Sequence, residues 1–303
     1  MFTDITGKQR LKACLHLHTT RSDGKLPPEE VIALYEKAGY DILAISDHYA
    51  YHPGGQHGAM TLLPAAEYHV VGPEAPGGVS ETIHILSLGM TRDPQLPDTL
   101  AEEATPVRQR ARDIAAAVRS CGGIAVLAHP AWSLDTPEMI LSCGCFDATE
   151  IYNSVSSWTR ADRAYSGLIV DLLATRGTYY PLLATDDAHY YAGEHMRGIT
   201  MLEADAVKEL GICGAIRSGR FYATQGPEIH LERVSDTHVR VRCTPVAKIA
   251  FFSNIPSAPD RVQRGDGLTE ALCPLAISRG ETYIRAEVTD ENGLQAWSNI
   301  LVL

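Results

Sequence analysis

Residues 11–24, LKACLHLHTTRSDG, give the strongest indication of the fold, because they place two histidines at the end of an apolar strand. Alternate side chains of a strand share a face, so His16 and His18 point to one side and Leu17 to the other. Asp23 follows on a turn next to glycine. An isolated histidine pair of this kind is more often ordinary interior structure than a ligand pair. The pair therefore predicts a metal site only in combination with ligands elsewhere in the chain.

The same arrangement recurs at three later strands, each of which is an apolar run that ends at metal-ligand residues. DILAIS leads to His48, GIAVLA leads to His129, and YYPLLAT leads to Asp187 and His189. The C-terminal ends of parallel strands gather on one face of a barrel, where such barrels carry their catalytic groups. We therefore expect these four side chains to lie beside the first histidine pair.

Two further side chains complete the predicted metal site. Glu67 follows PAA, and His84 lies within the alternating strand IHILSLG, on the same side as Leu86 and Leu88. His84 alone could be a hydrogen-bonded core histidine. Burying so many polar groups without partners costs about 1–3 kcal/mol each, and metal coordination removes that cost. The predicted metal ligands are His16, His18, Asp23, His48, Glu67, His84, His129, Asp187 and His189.

Strands and helices alternate through the first two-thirds of the chain. Helical patterns occupy PPEEVIALYEKAGY, TPVRQRARDIAAAVRSCGG, RAYSGLIVDLLATRG and, more briefly, VKELGICGAIRSG. Between them lie short apolar runs that are typical of strands buried on both faces. The alternation predicts an α/β fold with a parallel sheet or barrel. HPGGQHGAM and VVGPEAPGGVSET are expected to be long loops near the site.

The pattern changes near Gly226-Pro227. From there, short strands such as EIHLERV, HVRVRC, KIAFFS and ETYIRAEVT alternate with turn signals, and no helical pattern intervenes. This arrangement is typical of a small antiparallel β-sandwich. We therefore predict an α/β domain over residues 1–226 and a β-sandwich domain over residues 227–303.

The composition of the chain limits the classes of molecule that it can bind. The chain has 303 residues and a formal net charge of -11, which argues against a nucleic acid polymer because that binding needs a basic surface. A small anionic substrate is still allowed, since bound metal ions invert the local potential. No apolar run resembles a signal peptide or a membrane span. The seven irregularly spaced cysteines suit free thiols, so we expect a cytoplasmic protein that does not bind membranes.

The motifs HLHTTRSDG, ISDH, PAAE, IHILSLG, LAHP and ATDDAH, in this order, resemble those of the PHP (polymerase and histidinol phosphatase) domain. The resemblance covers residues 10–225. SGRFYATQGPEI and the β-rich tail resemble the carbaryl-hydrolase-like branch of that superfamily. The resemblance implies a distorted (β/α)7 barrel with two or three divalent metal ions. Mixed imidazole and carboxylate ligands suit Mn, Zn or Fe.

Carried over to this chain, the resemblance divides the ligands among three metal positions. The first position would use His16, His18, Glu67 and Asp187. The second would use Glu67 as a bridge, His84 and His129. The third would use Asp23, His48 and His189. The chain departs from the carbaryl-hydrolase-like sequences at Arg197-Gly198, where a tryptophan is typical, and this departure affects the substrate side of the pocket.

The predicted function is a metal-dependent phosphoesterase that hydrolyses a small phosphorylated metabolite or nucleotide through a metal-bridging hydroxide. No catalytic residue beyond the metal ligands is predicted. Three divalent ions, three carboxylates and a hydroxide leave the site at about +2, which suits a phosphomonoester dianion. With two ions the net charge is lower, and hydrolysis of a non-phosphate ester or carbamate is equally reasonable. A third possibility is a non-catalytic metal-binding scaffold with a β-sandwich binding module.

Three polar side chains are candidates for substrate contacts. Asn153 ends the strand ATEIYN, while Arg160 and Arg197 lie in loops after strand ends, where a guanidinium can hold an anion by two hydrogen bonds. Each has an ordinary alternative, as a turn cap for the asparagine and a solvated position for the arginines. The other histidines predicted to lie on the surface or in a lid are His52, His57, His69 and His195.

Overall fold

The computed structural model describes residues 1–74, 80–97, 105–158 and 161–303 of a mixed α/β protein. Its α-helices are α1 Pro28–Lys37, α2 Val107–Ser120, α3 Pro130–Ser133, α4 Pro137–Cys143, α5 Gly167–Thr175 and α6 Ala204–Arg217. Its strands are β1 Phe2–Thr3, β2 Gln9–Cys14, β3 Ile42–Leu43, β4 Gly55–His57, β5 Met60–Leu62, β6 Ala65–Glu74, β7 Ser80–Leu88, β8 Ile124–Leu127, β9 Ala148–Asn153, β10 Leu182–Thr185, β11 Ile199–Glu203, β12 Phe221–Thr224, β13 Ile229–Arg233, β14 His238–Ser253, β15 Val262–Pro274, β16 Tyr283–Thr289, β17 Gln295–Trp297 and β18 Leu301–Val302. The predicted helices correspond to α1, α2, α5 and α6.

The helices follow the sequence signals that predicted them. α1 begins with proline in its first turn, beside Glu29 and Glu30, which suits the positive end of the helix dipole. α2 buries residues spaced by three and four, such as Ala111, Ile114 and Val118, in one core with β6, β7 and β8. These contacts cover the outer face of the strands, so the other face is left for the interior.

Five strands form one sheet in the order β10-β9-β8-β7-β6. β8, β9 and β10 are parallel, but β7 runs antiparallel to both β6 and β8. The prediction of an all-parallel sheet is therefore wrong for β7. Only residues 75–79 separate β6 from β7, which is too short for the crossover that parallel neighbours need. As a result, the first half of β7, with His84, lies at the edge where the neighbouring strands end.

The other sheet contains β2, β3, β5 and β4 in this order. Isolated parallel bridges join Leu17 to Ala188 and His48 to Glu67. They bring the segment that follows β2 against the segment that follows β10, and the segment that follows β3 against β6. The C-terminal ends of β2, β3, β8 and β10 therefore meet β6 and β7 at one edge, which we call the rim.

Two segments predicted as loops contain strands. HPGGQHGAM includes β4, which forms an antiparallel hairpin with β5. VVGPEAPGGVSET includes the end of β6 and the start of β7, and its residues 75–79 lie outside the described residues. The residues of β4 are all exposed, so no apolar alternation marks that strand in the sequence.

The C-terminal strands continue the sheet that contains β2. β17 pairs with β12, and β12 pairs with β11, which pairs with β2. HVRVRC and KIAFFS, predicted as two strands, are parts of the single strand β14. The apolar core around Val241, Ile249 and Val288 also includes Met201 of β11 and Tyr222 of β12. Strand pairing and the apolar core both continue across residue 226. The structure therefore does not separate two domains there, and the predicted division at residue 226 and the separate β-sandwich stay predictions.

A buried ionic network joins β16 to the helical layer. Arg285 donates two hydrogen bonds of 2.7 Å to Asp171 of α5. It also donates to Glu287, which accepts a second hydrogen bond from the Tyr165 hydroxyl. We call these four residues the Arg285 network, and they anchor the C-terminal strands to α5.

Two expectations about chemical environment are tested in part. All seven cysteines have free thiols, as the irregular spacing predicted. In the described part of the chain, every helix is too short or too polar to cross a membrane. The cytoplasmic location stays a prediction.

Candidate metal centre

The structure brings all nine predicted ligands together at the rim. We call these residues, His16, His18, Asp23, His48, Glu67, His84, His129, Asp187 and His189, the ligand cluster. Most of its members are buried or half-buried, and Asp23 is the most exposed of its carboxylates. The cluster divides into overlapping groups whose ligand atoms lie within 4.8 Å of one another.

The deepest group contains His16, His18, Glu67 and Asp187. Nε2 of His16 lies 3.3 Å from Glu67 Oε2 and 3.2 Å from Asp187 Oδ1. Nε2 of His18 lies 3.1 Å from each of the same two oxygens. Leu17 packs in a separate apolar core, as strand alternation predicted. Two nitrogens and two oxygens thus surround one point, which suits a single divalent ion.

The second group uses the other oxygen of Glu67. Oε1 of Glu67 lies 2.9 Å from His84 Nδ1 and 3.3 Å from His129 Nε2. The two oxygens of this carboxylate therefore face different groups of imidazoles. This arrangement suits a carboxylate that bridges two ions, as the resemblance implied.

The third group lies nearest to solvent. Asp23 Oδ2 lies 3.4 Å from His189 Nε2 and 4.0 Å from His48 Nε2, and Asp23 Oδ1 lies 3.5 Å from His18 Nδ1. His18 therefore belongs to two groups, whereas the resemblance assigned it to one. Because Asp23 is more than half exposed, this is the group through which solvent most readily reaches the cluster.

Sequence reasoning missed His69. It is half-buried beside the cluster, so the prediction of a surface or lid position is wrong. His69 pairs with His84 across β6 and β7, and the two rings stack with centroids 5.2 Å apart. His48, His69 and His84 form a further group that could hold a metal ion. The available signal was spacing, since His69 follows Glu67 by two residues, as in the first histidine pair.

The electrostatics of the cluster test whether cations fit. Burial raises the pKa of Glu67, but the charges of His16, His48 and His84 outweigh it and hold the pKa well below its usual range. The surrounding histidines lower the pKa of Asp187 against the same burial effect. Oδ1 of Asp187 is buried and accepts no hydrogen bond of good geometry within the described residues. Buried, ionised carboxylates need a positive partner, and the donor set fits divalent Mn, Zn or Fe.

The surroundings shift the pKa values of the cluster histidines in opposite directions. Burial lowers the pKa of His18, but Asp187 and Glu67 outweigh it and raise that pKa to about 9. Burial lowers the pKa of His48 to about 4, because Glu67 only partly offsets it. Metal ligation requires neutral imidazole. Without metal, His18 would carry a proton at neutral pH, and an incoming ion would displace it.

Neighbouring carboxylates differ from the cluster in having their hydrogen bonds satisfied. Asp186 accepts three backbone N–H bonds from residues 196–198, of 2.6–2.8 Å. Asp47 accepts bonds of 2.7 and 2.6 Å from the N–H and hydroxyl of Thr19. Asp187, next to Asp186 in the chain, has no such set. The pair Asp186-Asp187 therefore combines one structural carboxylate with one that faces the imidazoles.

Glu150 supports the cluster from behind. It is fully buried within β9, and its Oε1 lies 2.7 Å from His16 Nδ1. Its Oε2 accepts a 2.8 Å hydrogen bond from the backbone N–H of His129. The Thr185 hydroxyl donates to Oε1 as well. A carboxylate behind a ligating histidine fixes the orientation and tautomer of the ring, so Glu150 aims Nε2 of His16 into the cluster.

Two members of the cluster have strained backbones. His129 has φ 28° and Asp187 has φ 51°, in the left-handed region that residues other than glycine seldom occupy. Such conformations persist where the surroundings impose them, and they concentrate at functional sites. The Asp187 N–H donates to the His16 carbonyl at 2.9 Å, while Glu150 holds the His129 N–H. The strain thus occurs where two strands end at the cluster.

A cavity of about 220 Å³ opens onto the cluster. Its lining residues are Asp23, His48, Glu67, His84, His129, Trp132, Val155, Ser156, Ala161, Asp187, His189 and Tyr190. No arginine or lysine lines it within the described ranges, so the cluster itself is the source of any positive potential, once ions are bound.

The structure places two of the three predicted substrate contacts, Asn153 and Arg197, outside this lining. Asn153 is buried and donates to Glu150 and to Asp187 Oδ2, while its carbonyl accepts two bonds from Ser156. This geometry favours positioning of Asp187 over a substrate contact. Arg197 is exposed and donates to the carbonyl of residue 193. Arg160 lies outside the described residues, so its predicted role stays untested.

Comparison with known proteins places the fold. No protein-family model and no curated protein matches the chain. The chain is similar to a two-domain protein from Bacteroides vulgatus that contains a predicted PHP-like metal-dependent phosphoesterase, with TM-score 0.52, 17% identity, and coverage of 100% of this chain and 98% of that one. The chain shares its fold with a PHP-like protein. This likeness confirms the resemblance at the level of fold.

Two other solved structures show weaker likeness. One is a proposed metal-dependent phosphoesterase from Bifidobacterium adolescentis, with TM-score 0.38, 15% identity, and coverage of 58% of this chain and 87% of that one. The other is an amidohydrolase from Chromobacterium violaceum with bound sulfate and no metal, with TM-score 0.39, 18% identity, and coverage of 60% and 89%. The carbaryl-hydrolase-like resemblance of the C-terminal region stays a prediction.

Proposed function

We propose that this protein is a metal-dependent phosphoesterase that hydrolyses a small phosphorylated metabolite or nucleotide. The observation that carries the proposal is the ligand cluster itself, in which buried imidazoles and ionised carboxylates surround shared points at the floor of a cavity. Such a donor set is typical of sites that bind several divalent ions and hydrolyse esters. The shared fold with a PHP-like protein is consistent with this function.

The finer architecture that we propose is a distorted seven-stranded barrel. The isolated bridges at Leu17–Ala188 and His48–Glu67 extend the pairing of the two sheets. Followed through these bridges, β2, β3, β6, β7, β8, β9 and β10 form a closed ring. Closure of such a ring would hold the ligands on separate, rigid strands, which is the arrangement that precise metal sites need.

In the proposed reaction, each part of the site has a separate task. Bound divalent ions would supply a hydroxide nucleophile at neutral pH and neutralise charge on the phosphoryl oxygens. Glu67 and Asp187 would hold the deeper ions, since the two oxygens of Glu67 face different groups of imidazoles. Glu150 would keep His16 oriented. The half-exposed Asp23 would hold the outermost position, from which solvent and product exchange.

The charges of the cavity support phosphate over a neutral ester. The described part of the lining contains three carboxylates and no arginine or lysine. Three divalent ions would leave a positive site that attracts a small dianion, and two ions would leave a weaker one. A neutral ester or carbamate is therefore the alternative substrate, and ion occupancy decides between them. A nucleic acid polymer is not proposed, because the net charge of -11 opposes it.

A panel of chromogenic esters tests the proposal. We expect p-nitrophenyl phosphate to be hydrolysed in the presence of Mn²⁺, and the activity to disappear with a chelator and return when Mn²⁺ is restored. Bis(p-nitrophenyl) phosphate and p-nitrophenyl acetate complete the panel. Turnover of the acetate with no turnover of either phosphate would replace the proposed function by the alternative.

Metal content separates an enzyme from a scaffold. A protein purified without chelator is expected to contain about two or three divalent ions per chain by elemental analysis, if the overlapping groups are each used. Its melting temperature should rise when Mn²⁺ or Zn²⁺ is added to the metal-free form, because ions bind the folded state only. Absence of both metal and thermal shift would favour a non-catalytic scaffold.

A further inference from the structure

An exposed tryptophan stands beside the ligand cluster. Trp132 retains 42% of its surface exposed and lines the cavity. Its ring lies edge-on to two cluster imidazoles, with centroids 5.1 Å from His129 and 5.9 Å from His84. Burial of a large aromatic ring is strongly favourable. An indole that borders a reactive centre yet remains open is therefore available to a ligand.

The position of this indole is fixed by short-range structure. Trp132 lies in α3, which begins with Pro130 directly after the cluster residue His129. The backbone N–H of Trp132 donates to the His129 carbonyl at 3.0 Å, and the backbone N–H of Asp135 donates to the Pro130 carbonyl at 2.9 Å. The same turn thus carries a predicted metal ligand and the indole. A ligand held by the cluster would meet Trp132 at a defined distance, without reordering of the backbone.

The cavity has a polar floor and an apolar wall. The floor is formed by imidazoles and carboxylates of the ligand cluster. The other described lining residues are, apart from Ser156, apolar or aromatic: Trp132, Val155, Ala161 and Tyr190. A substrate that carried only polar groups would leave this wall in contact with water. The division instead fits a molecule with a compact anionic head and a flat apolar body.

We propose that the substrate of this site carries a planar aromatic group, which packs on Trp132 while the ester head is held at the ligand cluster. This inference rests on the proposed function and names its substrate class. Hydrolysis would then break the bond between phosphorus and the oxygen on the aromatic side. The water oxygen would remain on phosphorus, and the aromatic portion would leave as an alcohol or phenol carrying a proton. Trp132 sets specificity and takes no part in the bond changes.

Paired phosphonates that cannot be hydrolysed test this proposal. Phenylphosphonate and methylphosphonate carry the same head and differ in the ring. We expect the Mn²⁺-loaded protein to bind phenylphosphonate at least about 10-fold more tightly in calorimetry, since ring burial and aromatic contact both contribute. Trp132→Ala should abolish that preference and leave methylphosphonate binding within about twofold. Trp132→Phe, which keeps a ring, should retain most of it.

Leu134→Ala is the matched control. Leu134 is 54% exposed on the same segment but does not line the cavity, so its removal should leave the preference unchanged. Elemental analysis and melting temperature of each variant show that metal and fold are kept. Adenosine monophosphate, compared with phenyl phosphate as an inhibitor, tells whether the ring is a nucleobase or lies directly on the ester oxygen.

The result that overturns the inference is distinct from one that overturns the function. Equal affinity of the two phosphonates for the unaltered protein, or an unchanged preference in Trp132→Ala, would refute the aromatic group. Failure of both phosphonates to bind the metal-loaded protein would refute phosphate recognition. In that case benzoate and acetate replace them as head-matched probes. Tighter binding of benzoate than of acetate, lost in Trp132→Ala, would support the aromatic group. Absence of this preference in the unaltered protein would refute the aromatic group.

Discussion

The ligand cluster and the Arg285 network are both buried and both ionic, but their charges are arranged differently. In the Arg285 network, the guanidinium is fully buried and donates to Asp171 and Glu287. Each charge has a protein partner of opposite sign. In the ligand cluster, carboxylates face imidazoles whose charge depends on protonation, and Asp187 Oδ1 has no hydrogen bond of good geometry within the described part.

The difference shows that burial of polar residues does not by itself indicate function. A network whose charges are satisfied within the protein contributes to structure and specificity of packing. A set of buried acceptors that face one another without a permanent cation is stable only with a proton or a metal ion among them. Removing one residue from each region should therefore have opposite signatures in activity and in stability.

The largest effect is expected for Asp187→Asn. It keeps the shape of the side chain but removes one of the two carboxylates at the deepest group, so the deepest ion is lost. The rate enhancement from metal ions amounts to several kcal/mol, so kcat/KM for p-nitrophenyl phosphate should fall by at least about 10³-fold. Elemental analysis should show fewer bound ions.

Asp266→Asn, at an exposed position far along the chain, controls for loss of a carboxylate and should leave turnover unchanged. Full metal content together with full activity in Asp187→Asn would show that Asp187 is not a ligand. It would place this residue in the same structural class as Asp186.

Arg285→Met should have the second-largest effect, and on stability. It would leave the buried Glu287 and the half-buried Asp171 beside an apolar side chain, and breaking a buried pair from one side costs about 3–5 kcal/mol. Urea unfolding should show this loss equally with Mn²⁺ and with chelator. Metal content and kcat/KM of the folded fraction should stay near the original values. A stability loss that appeared only in the metal-loaded form would contradict the separation of the two regions.

A smaller effect on activity is expected for Glu150→Gln. This change keeps the volume but weakens the hydrogen bonds that orient His16 and His129. Loss of such a supporting carboxylate typically lowers metal affinity or activity by about 10–100-fold. Competition with a metal-sensitive dye measures the affinity, and Glu291→Gln on an exposed turn is the control. A change of less than twofold in both quantities would show that the ring of His16 is held by other contacts.

Much of the site was predictable from sequence because strand ends and strand alternation are local signals. The apolar runs before His48, His129 and Asp187 each marked a strand that ends at the rim. His69 was missed although it follows Glu67 by two residues, as His18 follows His16. Glu150 was also missed, and its signal was a charge within the apolar run ATEIYN.

The parts that sequence did not predict depend on distant pairing. Nothing local in IHILSLG indicates that β7 runs against its neighbours, because strand direction is set by the length of the connection and by the partner strands. The continuity of the C-terminal strands with the sheet of β2 likewise depends on the pairing of β12 with β17. Turn-rich sequence between strands predicts antiparallel neighbours but does not identify which sheet they join.

A third kind of buried carboxylate refines the comparison. Asp135 is 2% exposed, and neither of its oxygens accepts a hydrogen bond from a described residue. It has no arginine of its own and belongs to none of the metal groups in the described part of the chain. Burial raises the pKa of Asp135 to about 8, with Glu81 adding to the effect and His129 opposing it. Such a group should be neutral at pH 7.

The consequence for stability follows from the sign of that shift. The folded protein holds the Asp135 proton to a pH near 8, whereas the unfolded chain releases it near 3.8. Protonated Asp135 therefore makes its full contribution to the free energy of unfolding below the unfolded pKa. That contribution is lost as pH rises toward 8. Asp135→Asn removes the dependence, so the variant should gain stability over the original protein as pH rises from 5 to about 8. Above that pH the gain should level off at several kcal/mol, since each pKa unit corresponds to about 1.4 kcal/mol.

Urea unfolding at several pH values, with chelator present, measures the difference in free energy of unfolding between the variant and the original protein. Titrations that both proteins share cancel in this difference. Asp266→Asn, which alters an exposed carboxylate, should show no comparable trend. A constant difference across the range, or a variant that is less stable at pH 9, would mean that Asp135 is ionised and paired in the folded state. Asp135 would then resemble the acids of the Arg285 network, and the unpaired carboxylates would be confined to the ligand cluster.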